Sequence, residues 1–548
     1  MTNAVLQASL AGRIVVFRDV ESRAANAQDP RQYGIAVRVS IINVEHNSSN
    51  QQQVVVIGGG ITGLAAAHHL LELREQTKQN FNILLLEASS RLGGIIQTRH
   101  RDEFLLELGP DSFISEKPQA IALAKRIGIE SHLIETSPDH RRSFIVRKGK
   151  LRPVPEGFQL LAPARVWSFI ATDIFSWPGK ARMAMDLLLP KRRNHGGDES
   201  LASFVRRRFG REALERMAQP MVGGIYTADP EQLSLRATFP RFLEMEQNYG
   251  SVIRGLRKTV NNPEGKRAGV AGGTSGARYS LFLSFDRGMQ LLVDQLSSQM
   301  PSDSICLQTR VTSLRRDHSL GRWTLELSSR ECLSADAVCL ALPAFASASL
   351  LKLSYPVLAR ELESITYEST ATVNLAYKRE EIPHRLDGFG FVVPIIEGRS
   401  IIACTFSSVK FSGRAPKGYV LLRAFVGGAL QPEMFALEEP EMIKRVKLDL
   451  EELLGVRTDP VFSEVTKWHN SMPQYYVGHL DRVRSIQDQL IQLPNLKLAG
   501  NGYSGAGLPD CIRTGEVTAD ELVNVFPPTS SQPVDAPRDF EYVNKLVL

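Results

Sequence analysis

Apolar residues form an unbroken run at Val54–Ile57, and the run stops at three closely spaced glycines, Gly58, Gly60 and Gly63. A short apolar run bounded by glycine reads as a strand buried on both faces. From Thr62 the pattern changes: in "TGLAAAHHLLELREQ" apolar residues recur every three or four positions, which predicts a helix. A second run, "FNILLL" at Phe81–Leu86, predicts a second buried strand that ends at Glu87. Residues 115–260 are mainly helical in pattern. Strand patterns then dominate: "SICLQTRVTSL", "WTLELSS", "ADAVCLALP", "TATVNLAYK", "GFGFVVP", "SIIACTF" and "YVLLRAFVGG" predict a second, mostly antiparallel sheet. Asn495–Val523 returns to strand, glycine-rich turn and helix. The polar run "EHNSSNQQQ" reads as a linker, and the glycine-rich Asn262–Arg278 as a surface loop.

Composition narrows the class. A chain of 548 residues has room for two to four domain-sized units, and 43% hydrophobic content supports a large core. Without an apolar run of about 18 residues, no transmembrane helix is expected. Residues 1–50 lack the apolar stretch of a secretory signal. Asp19, Glu21, Asp29 and Glu45 among the arginines there argue against an organelle transit peptide. A net charge of +6 and a pI near 9.0 suit a cofactor phosphate, a carboxylated substrate or an acidic membrane surface, and equally a mildly basic soluble protein. The five cysteines form no C-x-x-C pair and no zinc spacing, so buried free thiols in a reducing compartment and no metal are expected. Ala164–Arg193 interleaves Trp167, Phe169, Phe175 and Trp177 with Arg165, Lys180, Arg182 and the basic Lys191–Arg193. Such a stretch fits a membrane surface, or a core-facing helix with a solvated outer face.

The glycines carry the first chemistry. G-x-G-x-x-G is weak alone, but strand, turn, helix, strand and terminal acid together form a dinucleotide-binding unit. The helix N-terminus at Thr62–Leu64 offers N–H groups to a pyrophosphate. Glu87 can accept both hydroxyls of an adenosine ribose and disfavours a 2′-phosphate, so NADP is not expected. In "EASSRLGGIIQT" a second glycine pair, Gly93 and Gly94, follows the acid. A dinucleotide larger than NAD needs that extra backbone, with Arg91 adding charge beside the pyrophosphate and Gly94 allowing close approach. "ELGPDSF" (Glu107–Phe113) adds a third tight turn.

G-x-G-x-x-G followed by E-A-S-x-R-x-G-G resembles the flavin-containing amine oxidase superfamily. "GPDSF", "GGIYTADPEQLSLRATFPRF" (Gly223–Phe242), "RGMQLLVDQL" (Arg287–Leu296), "WHNSMPQYYVGH" (Trp468–His479) and "GAGLPDCIRTGE" (Gly505–Glu516) narrow the likeness. Together they resemble the protoporphyrinogen and coproporphyrinogen III oxidase family, in its bacterial branch, over about residues 53–526. The resemblance implies a mixed α/β fold in which a Rossmann-like FAD-binding domain interleaves with an antiparallel-sheet substrate domain and a helical, membrane-facing domain. It places FAD-domain pieces at 53–114, 261–315 and 481–526. A mainly helical domain with substrate-domain pieces falls at 115–260, and the substrate sheet with FAD-domain strands at 316–480. Residues 1–52 are expected to be a poorly ordered extension and 527–548 a C-terminal tail.

The FAD contacts carried over by resemblance are Gly58, Gly59, Gly60, Ile61, Thr62, Gly63, Glu87, Ala88, Arg91, Gly94, Gly109, Pro110, Asp111, Ser112, Val311, Trp468, Ala506, Gly507 and Leu508. FAD is expected to be non-covalent, with Cys511 packed rather than linked to it. Gly223, Gly224 and Phe389 are the substrate candidates, the glycines letting a flat macrocycle pass and Phe389 stacking on a pyrrole ring. The arginine that pairs a propionate in plant-type members has no counterpart in Ile127–His132, where Glu130 stands near its position. Arg141, Arg142 and Lys148 are the alternatives. The implied reaction removes six electrons from protoporphyrinogen IX or coproporphyrinogen III in haem biosynthesis, with the flavin as the reacting group and O2 reduced to hydrogen peroxide. The porphyrinogen and O2 are the implied partners. A membrane surface, ferrochelatase or another haem-pathway enzyme, and a second copy of the chain are further candidates, and nucleic acid is not among them. The expected location is cytoplasmic, with attachment to the inner face of the plasma membrane as the finer alternative. Another flavin enzyme of amine-oxidase type, or a non-enzymatic nucleotide-binding redox sensor, are the competing readings.

Overall fold

The two apolar runs pair as their burial requires. In the computed structural model, which describes residues 13–18, 38–43, 51–163, 165–192, 197–261, 282–317 and 319–526, Gln52–Ile57 and Phe81–Leu86 lie side by side in parallel. They form the middle of a five-stranded sheet in the order Ile305–Cys306, Phe81–Leu86, Gln52–Ile57, Ala337–Leu340, Leu496–Leu498, every neighbour parallel. Val54, Val55, Val56 and Leu85 are fully buried, because the helices Ile61–Thr77 and Leu508–Val523 cover one face of the sheet and the antiparallel strands Val311–Asp317, Arg322–Leu327 and Cys332–Ala335 pack against the other. The helix Ile61–Thr77 follows the first strand directly, and the helix Leu508–Val523 packs against it. Contact is close where Gly515 meets Thr62: a Cβ on Gly515 would sit 2.4 Å from the Thr62 carbonyl oxygen.

Two strands that the alternation pattern assigns to the antiparallel sheet belong here instead. Ile305–Cys306 and Ala337–Leu340 join the parallel sheet, and between them Val311–Asp317, Arg322–Leu327 and Cys332–Ala335 make a separate antiparallel meander. The reason is burial: Ala337–Leu340 is buried at every position, the signature of a parallel core strand rather than an alternating one.

The second sheet has seven strands, in the order Lys150–Pro153, Phe144–Arg147, Gly390–Val392, Ala403–Phe406, Tyr419–Gly427, Tyr367–Lys378, Phe462–Pro473. All its pairs are antiparallel except Phe144–Arg147 with Gly390–Val392. One face is apolar: Val373, Leu375, Leu422, Ala424 and Phe406 pack under the helix Glu439–Leu454. The other face carries Thr372, Asn374, Arg423 and Trp468, and it turns toward the glycine-rich turns of the first sheet.

Residues 166–261 are mostly helical around their own core. Phe169 and Phe175 point into that core, at 7% and 2% exposure, whereas Trp167 and Trp177 stand out at 83% and 70%. The buried pair Arg208–Asp186 anchors the region, with Ser251 and the Ile253 N–H also donating to Asp186. Among the described residues no helix is long and apolar enough to cross a membrane. Of the N-terminal extension, Arg13–Arg18 and Arg38–Asn43 form an antiparallel pair. The loop read at 262–278 and the tail 527–548 lie outside the described residues.

Candidate functional site

The first strand ends at a turn where each glycine has a separate reason. Gly58 has φ +110, and a Cβ there would meet the Ala341 carbonyl oxygen at 2.5 Å. At Gly63 a Cβ would fall 1.9 Å from the Gly58 carbonyl oxygen, so only hydrogen lets helix and strand approach. Gly60 differs: a Cβ there would meet nothing within 4 Å. It is the N-cap of the helix Ile61–Thr77 and supplies no side-chain hydrogen bond, so the first N–H groups of that helix have no capping side chain. That cradle fits a pyrophosphate.

Around it the chain gathers the other turns. The Gly59 N–H and the Ser89 N–H each donate to Glu87, both at 2.7 Å, which fixes the carboxylate at the strand end beside the exposed Ala88. Gly93 donates to the Gly59 carbonyl at 2.8 Å and bridges Gly60, and Gly94 approaches Gly60 closely. Arg91 spends its guanidinium on the carbonyls of Leu92, Ile96 and Gly94, so in this structure it shapes the loop. Thr309 donates to the Glu87 carbonyl at 2.8 Å, which brings the strand beginning at Val311 alongside the acid. Through the Gly515–Thr62 contact, the turn Ala506, Gly507, Leu508 and the helix N-terminus behind it belong to the same end of the sheet. Cys511 is buried there, and burial pushes its thiol up to about 12, so it holds no thiolate to offer a flavin. These residues therefore fit a non-covalent dinucleotide.

The third turn is held from the second sheet. Gly109 leaves no room for a side chain, since a Cβ would sit 1.7 Å from the Ile95 carbonyl oxygen. Trp468 Nε1 donates to the Leu108 carbonyl at 2.8 Å, Thr372 to the same carbonyl at 3.1 Å, and Asn374 Nδ2 to the Glu107 carbonyl at 3.4 Å. Arg423 donates to the Gly109 carbonyl. After Pro110, Asp111 pairs with Lys410 at 2.9 Å, and Ser112 donates to Asp111 and accepts from Lys410. Burial pushes the Asp111 carboxyl up, but Lys410 and Arg423 outweigh it and hold the group below its ordinary range. Glu107, 4% exposed, goes the other way: burial raises it to about 7 against the pull of Arg414 and the Met289 N–H.

The substrate candidates lie elsewhere. Gly223 and Gly224 sit on the helix Gln219–Tyr226, which follows a π-helical turn at Leu214–Ala218. Gly223 lines a small depression with Gln219, Val393, Ile395, Arg399 and Gln431, and Gly224 faces Val392. Phe389 is 3% exposed, its N–H bonded to the Arg142 carbonyl, and the wall of the depression is made by Val393, Pro394 and Ile395 instead. Arg142 is tied to Asp387, Arg141 lies 4.0 Å from Glu135, and Lys148 occupies an exposed hairpin turn. Among the described residues no group of His, Cys, Asp and Glu is placed to hold a metal.

Known proteins share this arrangement. The flavin containing amine oxidoreductase family matches residues 61–523. A coproporphyrinogen III oxidase of Bacillus subtilis is 35% identical over 85% of this chain and 97% of its own. A chloroplastic protoporphyrinogen oxidase of Nicotiana tabacum is 30% identical over 80% of this chain and 81% of its own. A crystal structure of an Exiguobacterium sp. 255-15 protein superposes with a TM-score of 0.75 at 32% identity, covering 87% of this chain and 99% of that one. The chain belongs to the flavin-containing amine oxidoreductase family, alongside the coproporphyrinogen III and protoporphyrinogen oxidases, and its cofactor is FAD.

Proposed function

We propose that this protein oxidises a porphyrinogen to a porphyrin in haem biosynthesis, using FAD and O2 and releasing hydrogen peroxide. The observation that carries the reading is the clamp between the two sheets: four side chains of the antiparallel sheet grip the carbonyls of Glu107, Leu108 and Gly109 at the dinucleotide end of the parallel sheet. A ligand reacting at the cofactor is thereby covered by that sheet. Bound FAD supplies the hydride acceptor and passes the electrons to O2. The chain's own residues bind and orient. The turn Gly58–Gly63 and Glu87 hold the ADP half. The Gly109–Ser112 turn, the segment at Val311, Trp468 and the Ala506–Leu508 turn hold the rest. The helix dipole behind Gly507 stabilises negative charge at the flavin end. Gly223 and Gly224 border the macrocycle, and the sheet excludes water from the reacting bridge carbon.

Coproporphyrinogen III is the substrate we favour, since relatives of that name reach 35% identity and the chloroplastic protoporphyrinogen oxidases reach 30%. Oxygen uptake tests the assignment. Coproporphyrinogen III should drive peroxide-forming uptake faster than protoporphyrinogen IX. Uptake with simple amines and with neither porphyrinogen would assign the protein to amine oxidation instead.

A peripheral position on the inner membrane face is supported by one patch. Trp167, Ile170, Trp177, Met185 and Leu188 are each exposed on the helical region, within the stretch that also exposes Arg165.

A further inference from the structure

Arg423 breaks the pattern of its strand. Tyr419–Gly427 is apolar apart from this one guanidinium, which is 4% exposed. Its Nη2 donates to the Gly109 carbonyl, its plane lies over the Phe425 ring at 4.8 Å, and its Nε–H has no partner. Among the described residues no carboxylate lies within 4.0 Å of it. The nearby acids are engaged: Asp111 is paired with Lys410 at 2.9 Å, and Glu107 takes Thr98, the Met289 N–H and, at 4.0 Å, Arg414. Directly across in register stands Asn374, fully buried, whose Nδ2 holds the Glu107 carbonyl and whose Oδ1 also lacks a partner.

A buried cation with an open Nε–H is costly unless an anion meets it, and Asp111 and Glu107 compensate this one only from beyond 4.0 Å. The cofactor's phosphates do not serve, because the capless helix N-terminus at Gly60 on the other sheet is built for them. A guanidinium fork fits a planar carboxylate with two parallel hydrogen bonds. The porphyrinogen proposed above carries propionates, and its pyrrole N–H groups are donors of the kind Asn374 Oδ1 lacks. We propose that Arg423, faced by Asn374, is a substrate subsite that binds a propionate carboxylate of the tetrapyrrole. This rests on the porphyrinogen reading.

Binding of the oxidised product tests it without turnover. FAD-loaded wild type, R423Q and R423K are titrated with coproporphyrin III and with its tetramethyl ester, following porphyrin fluorescence. R423Q keeps a donor for the Gly109 carbonyl but loses the charge. It should weaken coproporphyrin III binding on the order of tenfold to a hundredfold, the worth of a charge-assisted hydrogen bond. Compared at equal FAD loading, it should leave ester binding unchanged, with R423K in between. Equal loss for acid and ester would make Arg423 a structural residue and overturn the proposal, as would wild-type affinity in R423Q. A shifted flavin midpoint potential with intact porphyrin affinity would assign the fork to the cofactor and also overturn it. If R423Q does not fold, R423K decides: weaker acid binding at full FAD content supports the subsite, and unchanged binding overturns it. A wild type that binds neither porphyrin and oxidises neither porphyrinogen would defeat the function itself, whereas R423Q binding like an active wild type defeats only the subsite.

Discussion

Gly60 and Gly63 sit three residues apart in one fingerprint, yet the space around them differs. A Cβ on Gly63 would overlap the Gly58 carbonyl, whereas one on Gly60 would enter open space. Gly63→Ala should therefore destabilise the FAD-free protein by about 2–3 kcal/mol, the cost of overpacking a close contact. Gly60→Ala should cost it less than about 1 kcal/mol and still abolish FAD stabilisation, because the methyl group fills the proposed pyrophosphate seat. Thermal melts with and without added FAD check both; a Gly60→Ala protein stabilised by FAD like wild type would contradict the assignment. Glu107 gives a pH signature. Its folded pKa of about 7 lies above the ordinary carboxyl value of 4.5, so the folded state holds a proton that the unfolded chain releases. Its contribution to stability is full below pH 4.5, falls as pH rises to about 7, and is flat above that, a loss of up to about 3 kcal/mol. Urea melts across that window should show the decline in wild type and a flatter profile in Glu107→Gln.

At the scale of elements, the polar face of the seven-stranded sheet joins the two halves of the molecule. Thr372, Asn374, Arg423 and Trp468 come from three strands, and all four reach three consecutive carbonyls of one turn. The helical element makes a separate prediction. The stretch Ala164–Arg193 fits two readings in sequence, and the structure divides its aromatic residues between them: the phenylalanines pack inward and the tryptophans face outward. Wild type should co-sediment with vesicles containing anionic lipid, and Trp167→Ser/Trp177→Ser should lower that binding severalfold while leaving the melting temperature within error. Equal sedimentation of both proteins would remove the membrane role from this patch.

Over the whole molecule, the sequence discloses what periodicity and glycine chemistry can encode. The strand–turn–helix–strand unit, the acid at Glu87 and the returning C-terminal unit were all legible, because each is local and each breaks its pattern at a residue with one physical job. The placement of Ala337–Leu340 was not, since a four-residue apolar run looks alike in either sheet until its neighbours are known. Which face of a strand meets a cavity depends on a register that only the folded sheet sets, and Phe389, buried at 3% exposure, precedes the paired strand Gly390–Val392. Arg423 carried a faint signal, a lone charge inside the apolar run "YVLLRAFVGG", and Asn374 a fainter one, an amide between Val373 and Leu375, but what they face is a turn some 300 residues away in the chain. The account as a whole stands on one reaction. Coproporphyrinogen III added under air to the purified yellow protein should give rising porphyrin fluorescence in proportion to its heat-released FAD; a FAD-loaded preparation that produces no porphyrin from coproporphyrinogen III or protoporphyrinogen IX would contradict it.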